Sequence, residues 1–465
     1  MKYISTRGRA PAVDFVGALM AGLASDGGLY SPATWPTLTR REIADLAGRP
    51  YAEVAARVLA PFIGEEIPMD VVRRLCAEAY AGFRHPAVTP LTQLDSNTFL
   101  LELFHGPSLA FKDVAMQLLG RLYAHVLALR DQEMTIVCAT SGDTGGAAVE
   151  AFRGLPNVRL VVLFPEGRIS EVQRRFMTTT GEANVRTVAV AGDFDDCQAI
   201  LKALFQDATF AGEVSLAAVN SINFARIIAQ SVYFFVAAAA LGAPHRKVNF
   251  VVPTGNFGDA FAGFSARAMG LPIGRIIAAT NSNDIVARAL TAGDYARGTG
   301  VATQSPAMDI QVASNFERLY FECAGRDGAE TRRAFDGFAQ ARGMTVPAEI
   351  LTTMNQTFGA LAVSEADTTG MIATTCRDTG LAIDPHTAVA MAARHRSVFD
   401  PGDGPVVVVS TAHAAKFPEA VSAATGRPAP QPEVVIRNAG LTERIDRLPA
   451  DEAEVKRYVR DFVGA

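Results

Sequence analysis

The chain has 465 residues, of which 49% are hydrophobic and 20% charged, and its formal net charge is −5. That length gives room for about two or three domains around a large core. The mildly acidic balance, with no basic run, argues against a nucleic-acid partner. Five cysteines, Cys76, Cys138, Cys197, Cys323 and Cys376, are scattered without a CxxC spacing. They fit reduced thiols in a cytoplasm better than a disulfide framework or a metal site.

The N-terminal stretch MKYISTRGRAPAVDF has no apolar h-region and does not read as a secretory signal. Residues 1–95 read as a mostly helical region: FVGALMAGLA, RREIADLAG, AEVAARVLAPFIG and MDVVRRLCAEAYAGF place apolar residues near helical spacing. Turns such as SDGGLY and SPATWP separate them. From about residue 96 the texture changes to short β-branched runs that end in Gly, Ser, Thr or Asn and lead into helices. They are MTIVCATSGDTGG, VRLVVLFPEG, VRTVAVAGDFDD, KVNFVVPTGNFGD, RIIAATNSND and GPVVVVSTAHAAKF. Strands alternating with helices predict an α/β fold of parallel sheets with helices on both faces. Such sheets bind ligands at the carboxyl ends of their strands, where every one of these runs carries its polar loop. The longest apolar run, VYFFVAAAALGA, is too short to span a bilayer and predicts a buried helix. NFERLYFECAGRDGAETRRAFDGFAQARG is expected to form surface helices. The expected divisions are 1–95, a larger domain of 96–130 with 226–465, and a smaller one of 131–225. The whole is expected to be soluble and cytoplasmic, without a membrane partner.

Four loops carry chemistry-bearing residues. HGPSLAFKD sets Lys112 among small and apolar neighbours ahead of a helical run. A lysine there is either solvated or used, because leaving water is costly for an ammonium. In VVPTGNFGDAFAG, the segment Gly255-Asn256-Phe257-Gly258 joins a strand to a helix; it is either an anion site at a helix N-terminus or an ordinary turn. CATSGDTGGAAVEAF offers Ser141, Asp143 and Thr144 as substrate ligands or as helix caps. VVVVSTAHAAKF ends an apolar strand in Ser410-Thr411, whose hydroxyls suit a ring nitrogen or simply finish a loop. There is no Walker loop, dinucleotide fingerprint or G-x-S-x-G elbow. A reactive lysine, a glycine turn for a phosphate and a hydroxyl for a pyridine nitrogen are the parts that pyridoxal 5'-phosphate needs.

At these residues the sequence resembles the threonine synthases of the longer bacterial and fungal type, within the tryptophan-synthase β-like (fold type II) pyridoxal phosphate enzymes. YISTRG, SDGGLY, LFHGPSLAFKD, ATSGDTGGAA, GDFDDCQ, VNSINFARI, VVPTGNFGDAFAG, DIQVASNFERL, DPHTAVA and STAHAAKFPEAV carry the likeness almost end to end. The resemblance implies two parallel-sheet domains and a mostly helical N-terminal region. It implies that Lys112 holds the cofactor as a Schiff base, that Gly255, Asn256, Phe257 and Gly258 hold its phosphate, and that Thr411, with Ser410 beside it, faces its ring nitrogen. Ser141, Asp143 and Thr144 would line the substrate carboxylate and the cofactor's phenolic oxygen. The reaction implied is conversion of O-phospho-L-homoserine and water to L-threonine and phosphate, by a monomer or homodimer. Candidates for the substrate phosphate are Arg226, Asn223 and Ser108, with Arg226 the better electrostatic choice.

Two residues depart from expectation. Asp143 stands where many relatives in the wider fold have Asn, and a carboxylate beside a phenolate-like oxygen repels it, so Asp143 is expected to be protonated or turned away. Phe224 stands where Trp is expected in the NSIN block. Two other readings are a serine or threonine ammonia-lyase of the same fold, which needs no second phosphate pocket, and a non-catalytic relative acting as a binding protein.

Overall fold

The computed structural model describes residues 1–217, 219–399 and 402–464. The chain divides into two compact units: Met1–Gly106 with Ser221–Ala429, and Pro107–Asn220 with Pro430–Ala465. All six β-branched runs singled out above form strands, and the long apolar run lies in the buried helix Phe224–Ala240.

The larger unit is built on a six-stranded sheet. From edge to edge its strands are Phe358–Ala362, Ile273–Thr280, Val248–Pro253, Val406–Ser410, Thr98–Glu102 and Leu91–Gln93. All pairings are parallel except the last. The chain runs from Val248–Pro253 outward through Ile273–Thr280 to Phe358–Ala362, then returns to the opposite side of Val248–Pro253 as Val406–Ser410. This reversal is the switch point at which open parallel sheets form their crevice. Because the two strands are parallel and paired, Val408 opposite Val251, their carboxyl ends share one edge. Val251, Ala279, Val406 and Val408 pack with Ala388, Val389 and Met391 of the helix Pro385–Arg396 into a continuous apolar core.

The N-terminal residues belong to this unit. The Tyr3 hydroxyl donates to the Phe62 carbonyl, and the Tyr3 ring packs edge-on against Phe224 at 5.4 Å. Phe224 also lies 5.9 Å from Phe62 and 6.2 Å from Trp35, so the smaller ring at this position is used as aromatic core. The helix Phe316–Cys323 corrects the expectation of surface helices: Phe316 through Phe321 are all buried. Its amphipathic sequence is deceptive because its charges are matched inside. Glu317 accepts from Arg7 and Thr6, and the fully buried Arg318 donates to the carbonyls of Tyr30 and Ile222 and to Asn315 Oδ1.

The smaller unit carries a five-stranded, fully parallel sheet: Asp446–Pro449, Val185–Ala191, Val158–Pro165, Met134–Ala139 and Leu216–Ala217. Its switch point lies at Met134–Ala139, from which the chain runs outward to Val185–Ala191 and later returns on the other side as Leu216–Ala217. The unit's limits differ from those expected. The helix Lys112–Arg130 belongs to it, with Tyr123 6.1 Å from Phe152 of the helix Asp143–Phe152. So does the C-terminus: Val455 and Val459 of the helix Glu452–Val463 are fully buried with Val161, Val188 and Leu204.

If the C-terminal helix is part of this core, Val459→Asp should lower stability by about 3 kcal/mol or more, since a carboxylate there has no partner. Thermal denaturation followed by far-UV circular dichroism measures this, and an unchanged transition would detach the helix from the core.

Candidate active site

In the smaller unit the segment before Lys112 is a loop closed on itself. Ser108 donates through its backbone N–H (2.8 Å) and its hydroxyl (2.6 Å) to the two oxygens of Asp113, and both residues are fully buried. Leu109, also fully buried, takes φ 64°, a left-handed conformation that costs a branched side chain energy and is sustained only by tight surroundings. The loop delivers Lys112 to the first position of its helix, whose N-cap Phe111 makes no side-chain capping bond. Ser108 is therefore one of the residues that shape the lysine loop, and its hydroxyl proton is committed to Asp113.

The Lys112 ammonium lies 3.7 Å from Asp143 Oδ2, with the lysine side chain 12% exposed. Asp143 is the first residue of its helix and is turned toward the lysine, not away from it. Its Oδ1 accepts from Gln173 Nε2 at 3.1 Å. Gln173 was missed in the sequence; the signal was the capping box SEVQ, in which Ser170 and Gln173 close the start of the helix Glu171–Thr178. The loop between strand and helix is pinned by Thr140, whose hydroxyl accepts from the N–H groups of Gly142 and Gly145, both at 2.9 Å. Gly142 has φ 132°, and a Cβ there would sit 2.6 Å from the Gln173 amide carbon, so only glycine fits. Ser141 and Thr144 are half-buried on either side of Gly142 and Asp143.

In the larger unit the turn Gly255–Gly258 leaves the strand Val248–Pro253 at the switch point. A Cβ on Gly255 would lie 2.6 Å from the Ala307 carbonyl oxygen. Phe257 adopts φ 61° and buries its ring against Phe316 and Phe358, so it serves the turn as an anchor and offers only its backbone. The Asn256 carbonyl accepts from both the backbone N–H and the side-chain Nδ2 of Asn315, each at 3.0 Å, and Asn256 Oδ1 accepts from the Ser314 hydroxyl at 3.1 Å. The helix Gly258–Ala268 that follows has no side-chain N-cap. Elsewhere, as at Ser170, Asp193 and Ser364, a side chain caps the helix. An uncapped N-terminus behind a glycine turn presents N–H groups and a positive dipole end to an anion.

Asp259 stands in the first turn of that helix, where a negative charge would compete with a bound anion. It is buried, accepts from the Tyr233 hydroxyl at 2.5 Å, and burial pushes its carboxyl up to about 7. The neighbouring Arg226 is 3% exposed in the first turn of the helix Phe224–Ala240, and its charge bears on Tyr233. Asn223, the other candidate nearby, starts the same helix. Its Oδ1 caps that helix through the Ala225 N–H at 3.0 Å, and its Nδ2 donates to the Leu19 carbonyl at 2.8 Å. Ser410 and Thr411, 1% and 6% exposed, end the neighbouring strand at the same sheet edge as the glycine turn.

Other chemistries find little support. His413, two residues beyond Thr411, is lowered to about 4 by burial and by nearby Arg84 and His105, so it is a neutral imidazole. Its Nδ1 accepts from the Ala415 N–H. Burial pushes the Cys76, Cys138 and Cys323 thiols up to about 12, which removes them as nucleophiles. Among the described residues no group of acidic, His or Cys side chains could hold a metal ion, and no helix is long and apolar enough to cross a membrane.

Comparison with known proteins covers the chain from end to end. Residues 2–80 match the family model "Threonine synthase N terminus", 83–412 match "Pyridoxal-phosphate dependent enzyme", and 387–459 match "Threonine synthase, C-terminal". The chain is 48% identical to the threonine synthase of Pseudomonas aeruginosa, over 99% of this chain and 98% of that protein. It is 40% identical to that of Saccharomyces cerevisiae, over 90% and 88%. The crystal structure of PLP-bound threonine synthase from Brucella melitensis superposes with a TM-score of 0.97 at 49% identity, covering all of both chains. The yeast threonine synthase structure gives 0.94 at 36%, covering 100% and 99%.

Asp259 generates a pH dependence with a definite sign. Its folded-state value, about 7, is above the ordinary carboxyl value of 3.8, so between those limits the folded chain holds a proton that the unfolded chain releases. That contribution is fully present below the carboxylate range and is lost as pH rises through about 7. Asp259→Asn should therefore gain stability relative to the parent as pH rises from 4 to 7. Urea unfolding at several pH values measures the difference, and parallel curves would remove the assignment.

Proposed function

We propose, from the premise that the chain belongs to the threonine synthase family, that the residues described above form the binding and catalytic groups of a pyridoxal phosphate enzyme making L-threonine from O-phospho-L-homoserine and water. Threonine synthesis with this cofactor is the family's activity and that of this chain. The observation that carries the residue assignment is the glycine turn: uncapped, fixed by Asn315, and closed to any side chain at Gly255. That cradle fits a phosphate monoester, and the hydroxyls of Ser410 and Thr411 on the adjoining strand end fit a pyridine nitrogen.

When bound, the cofactor supplies an electron sink for negative charge developing on the substrate. The chain's own residues supply the rest. Lys112 would hold the cofactor's aldehyde, and its free amine would accept the Cα proton of the substrate. Asp143 sits close enough to Nζ to orient the ammonium electrostatically, and Gln173 keeps the carboxylate in that position. Ser141, Thr144 and the first N–H groups of the helix Asp143–Phe152 receive the substrate carboxylate. Arg226 is the partner of the substrate phosphate, because a buried guanidinium binds phosphate with charge and geometry together. Asn223 supports this as the cap of the Arg226 helix, and Ser108 supports Lys112 as the clasp of its loop. The ammonia-lyase reading has no use for a second anion partner, and the full-length threonine synthase matches leave it without support.

Lys112→Ala should abolish turnover with the circular dichroism spectrum intact, and borohydride should fix cofactor to a Lys112 peptide in the parent only. Retained activity in this variant would end the assignment. The substrate is tested by phosphate release: O-phospho-L-homoserine should be consumed, while serine and threonine should not yield ammonia. Arg226→Ala should raise KM for O-phospho-L-homoserine by about 100-fold, corresponding to loss of a charged hydrogen-bonded contact of about 2–3 kcal/mol. A KM unchanged from the parent would move the phosphate to other residues.

A further inference from the structure

Behind the Ser410 strand end lies a buried polar chain that the sequence analysis marked only as the block DPHTAVA. Asp384 is fully buried and caps the helix Pro385–Arg396. Its Oδ1 accepts from the His386 N–H at 2.9 Å and faces His386 Nδ1 at 2.8 Å. Its Oδ2 accepts from the Thr387 N–H at 3.2 Å and from the Thr387 hydroxyl. His386 Nε2 in turn accepts from the Ala307 N–H at 3.3 Å. Thr387 Oγ1 lies 2.9 Å from Ser410 Oγ.

Donor and acceptor counting gives this chain one direction. Since Nε2 of His386 accepts, a neutral imidazole must carry its proton on Nδ1 and donate it to Asp384. Asp384 is then an acceptor at both oxygens. Thr387 spends its only hydroxyl proton on Asp384, so the Thr387–Ser410 bond must use the proton of Ser410. Ser410 is left with lone pairs alone, and Thr411 is the one hydroxyl of the pair with a proton to offer. The other branch ends at Ala307, whose carbonyl oxygen is the atom that a Cβ on Gly255 would strike at 2.6 Å.

We propose that Asp384 is a positioning residue for both ends of the cofactor cradle. Through Thr387 it turns the Ser410 proton inward and leaves Thr411 as the donor to the ring nitrogen; through His386 it holds the Ala307 backbone over the phosphate turn. This rests on the assignment of Thr411 and the Gly255 turn made above.

The test is the dissociation constant of pyridoxal phosphate from the full-length apoprotein, by fluorescence titration. Thr387→Val keeps the shape and the backbone cap but breaks the chain, and should weaken binding about tenfold, the scale of one buried hydrogen bond. Thr387→Ser, which restores the hydroxyl, should return it to the parent value. Thr387→Val combined with Ser410→Ala should be no weaker than the weaker single variant, because both break one chain. His386→Ala should weaken inorganic phosphate, used as a probe of the turn alone, while Thr387→Val should not. A Thr387→Val constant equal to the parent's, additive effects, or unchanged phosphate binding in His386→Ala would overturn the proposal. Thr411→Val separates it from the reading beneath: if Thr411→Val weakens binding and Thr387→Val does not, only the role of Asp384 fails; if neither does, the ring-nitrogen assignment itself fails. Where Thr387→Val does not fold, the parent protein with 15N-labelled histidine decides. A His386 signal protonated at Nδ1 supports the chain's direction, and protonation at Nε2 overturns it.

Discussion

The doubly bonded carbonyl of Asn256 is the constraint on which the larger unit's chemistry rests. Asn315 donates to it from backbone and side chain alike, and the Asn315 amide oxygen is itself fixed by Arg318. Arg318 is wholly buried, and burial lowers it to about 9 against the opposing charge of Glu317. It spends its donors on Tyr30 and Ile222. One guanidinium therefore ties together the N-terminal strand, the NSIN segment and the glycine turn. A buried charge left with a missing partner is costly, so the turn's shape is locked to the presence of all three. The N-terminal residues thus have a structural bearing on the site even though they contribute no predicted catalytic group.

Both sheets use the same geometrical solution. In each, the chain winds outward from a central strand and then returns on its other side. In each, the loop leaving the central strand runs into a helix whose N-cap residue makes no side-chain bond: Gly255–Gly258 in one, and Ser141–Asp143 in the other, where Thr140 accepts from the Gly145 N–H instead. Capped helices satisfy their own first N–H groups and have little left to offer an anion. At the helix Gly258–Ala268 the N-cap Phe257 makes no such bond, whereas at the start of the lysine helix Asp113 and Val114 donate to the carbonyls of Ala110 and Phe111. The residues that decline the capping role are Phe257, Gly142 and Phe111, and each is where it is for a backbone reason: two lie at strand-to-helix turns, and the third carries the chain into the lysine helix.

Burial has also shaped which ionisable groups take part. Burial pushes the Asp259 carboxyl up to about 7, which reduces the negative charge at the positive end of its helix. His413 is neutral and occupied in a local turn. Asp143 remains an acceptor, positioned by Gln173 and the Lys112 ammonium. Of the two expectations, protonated or turned away, the second treated the carboxylate as isolated, whereas a cation and an amide donor lie beside it here.

The sequence by itself determined the six alternating strands, the buried helix around Val232, the polar loops at strand ends and, through its long ordered motifs, the family. These are local signals: β-branched runs, glycine turns and helical spacing act over a few residues. Only the tertiary structure decided the rest. It moved Pro107–Arg130 and the C-terminal helix into the smaller unit, because apolar faces such as that of Val455 and Val459 do not state which core they will join. It buried the helix Phe316–Cys323, whose charges read as solvated until their partners, hundreds of residues away at Arg7 and Tyr30, are known. It set Gln173 against Asp143 in the smaller unit and Asn315 against Asn256 in the larger, since a polar side chain's role depends on which donors and acceptors the fold sets about 3 Å from it.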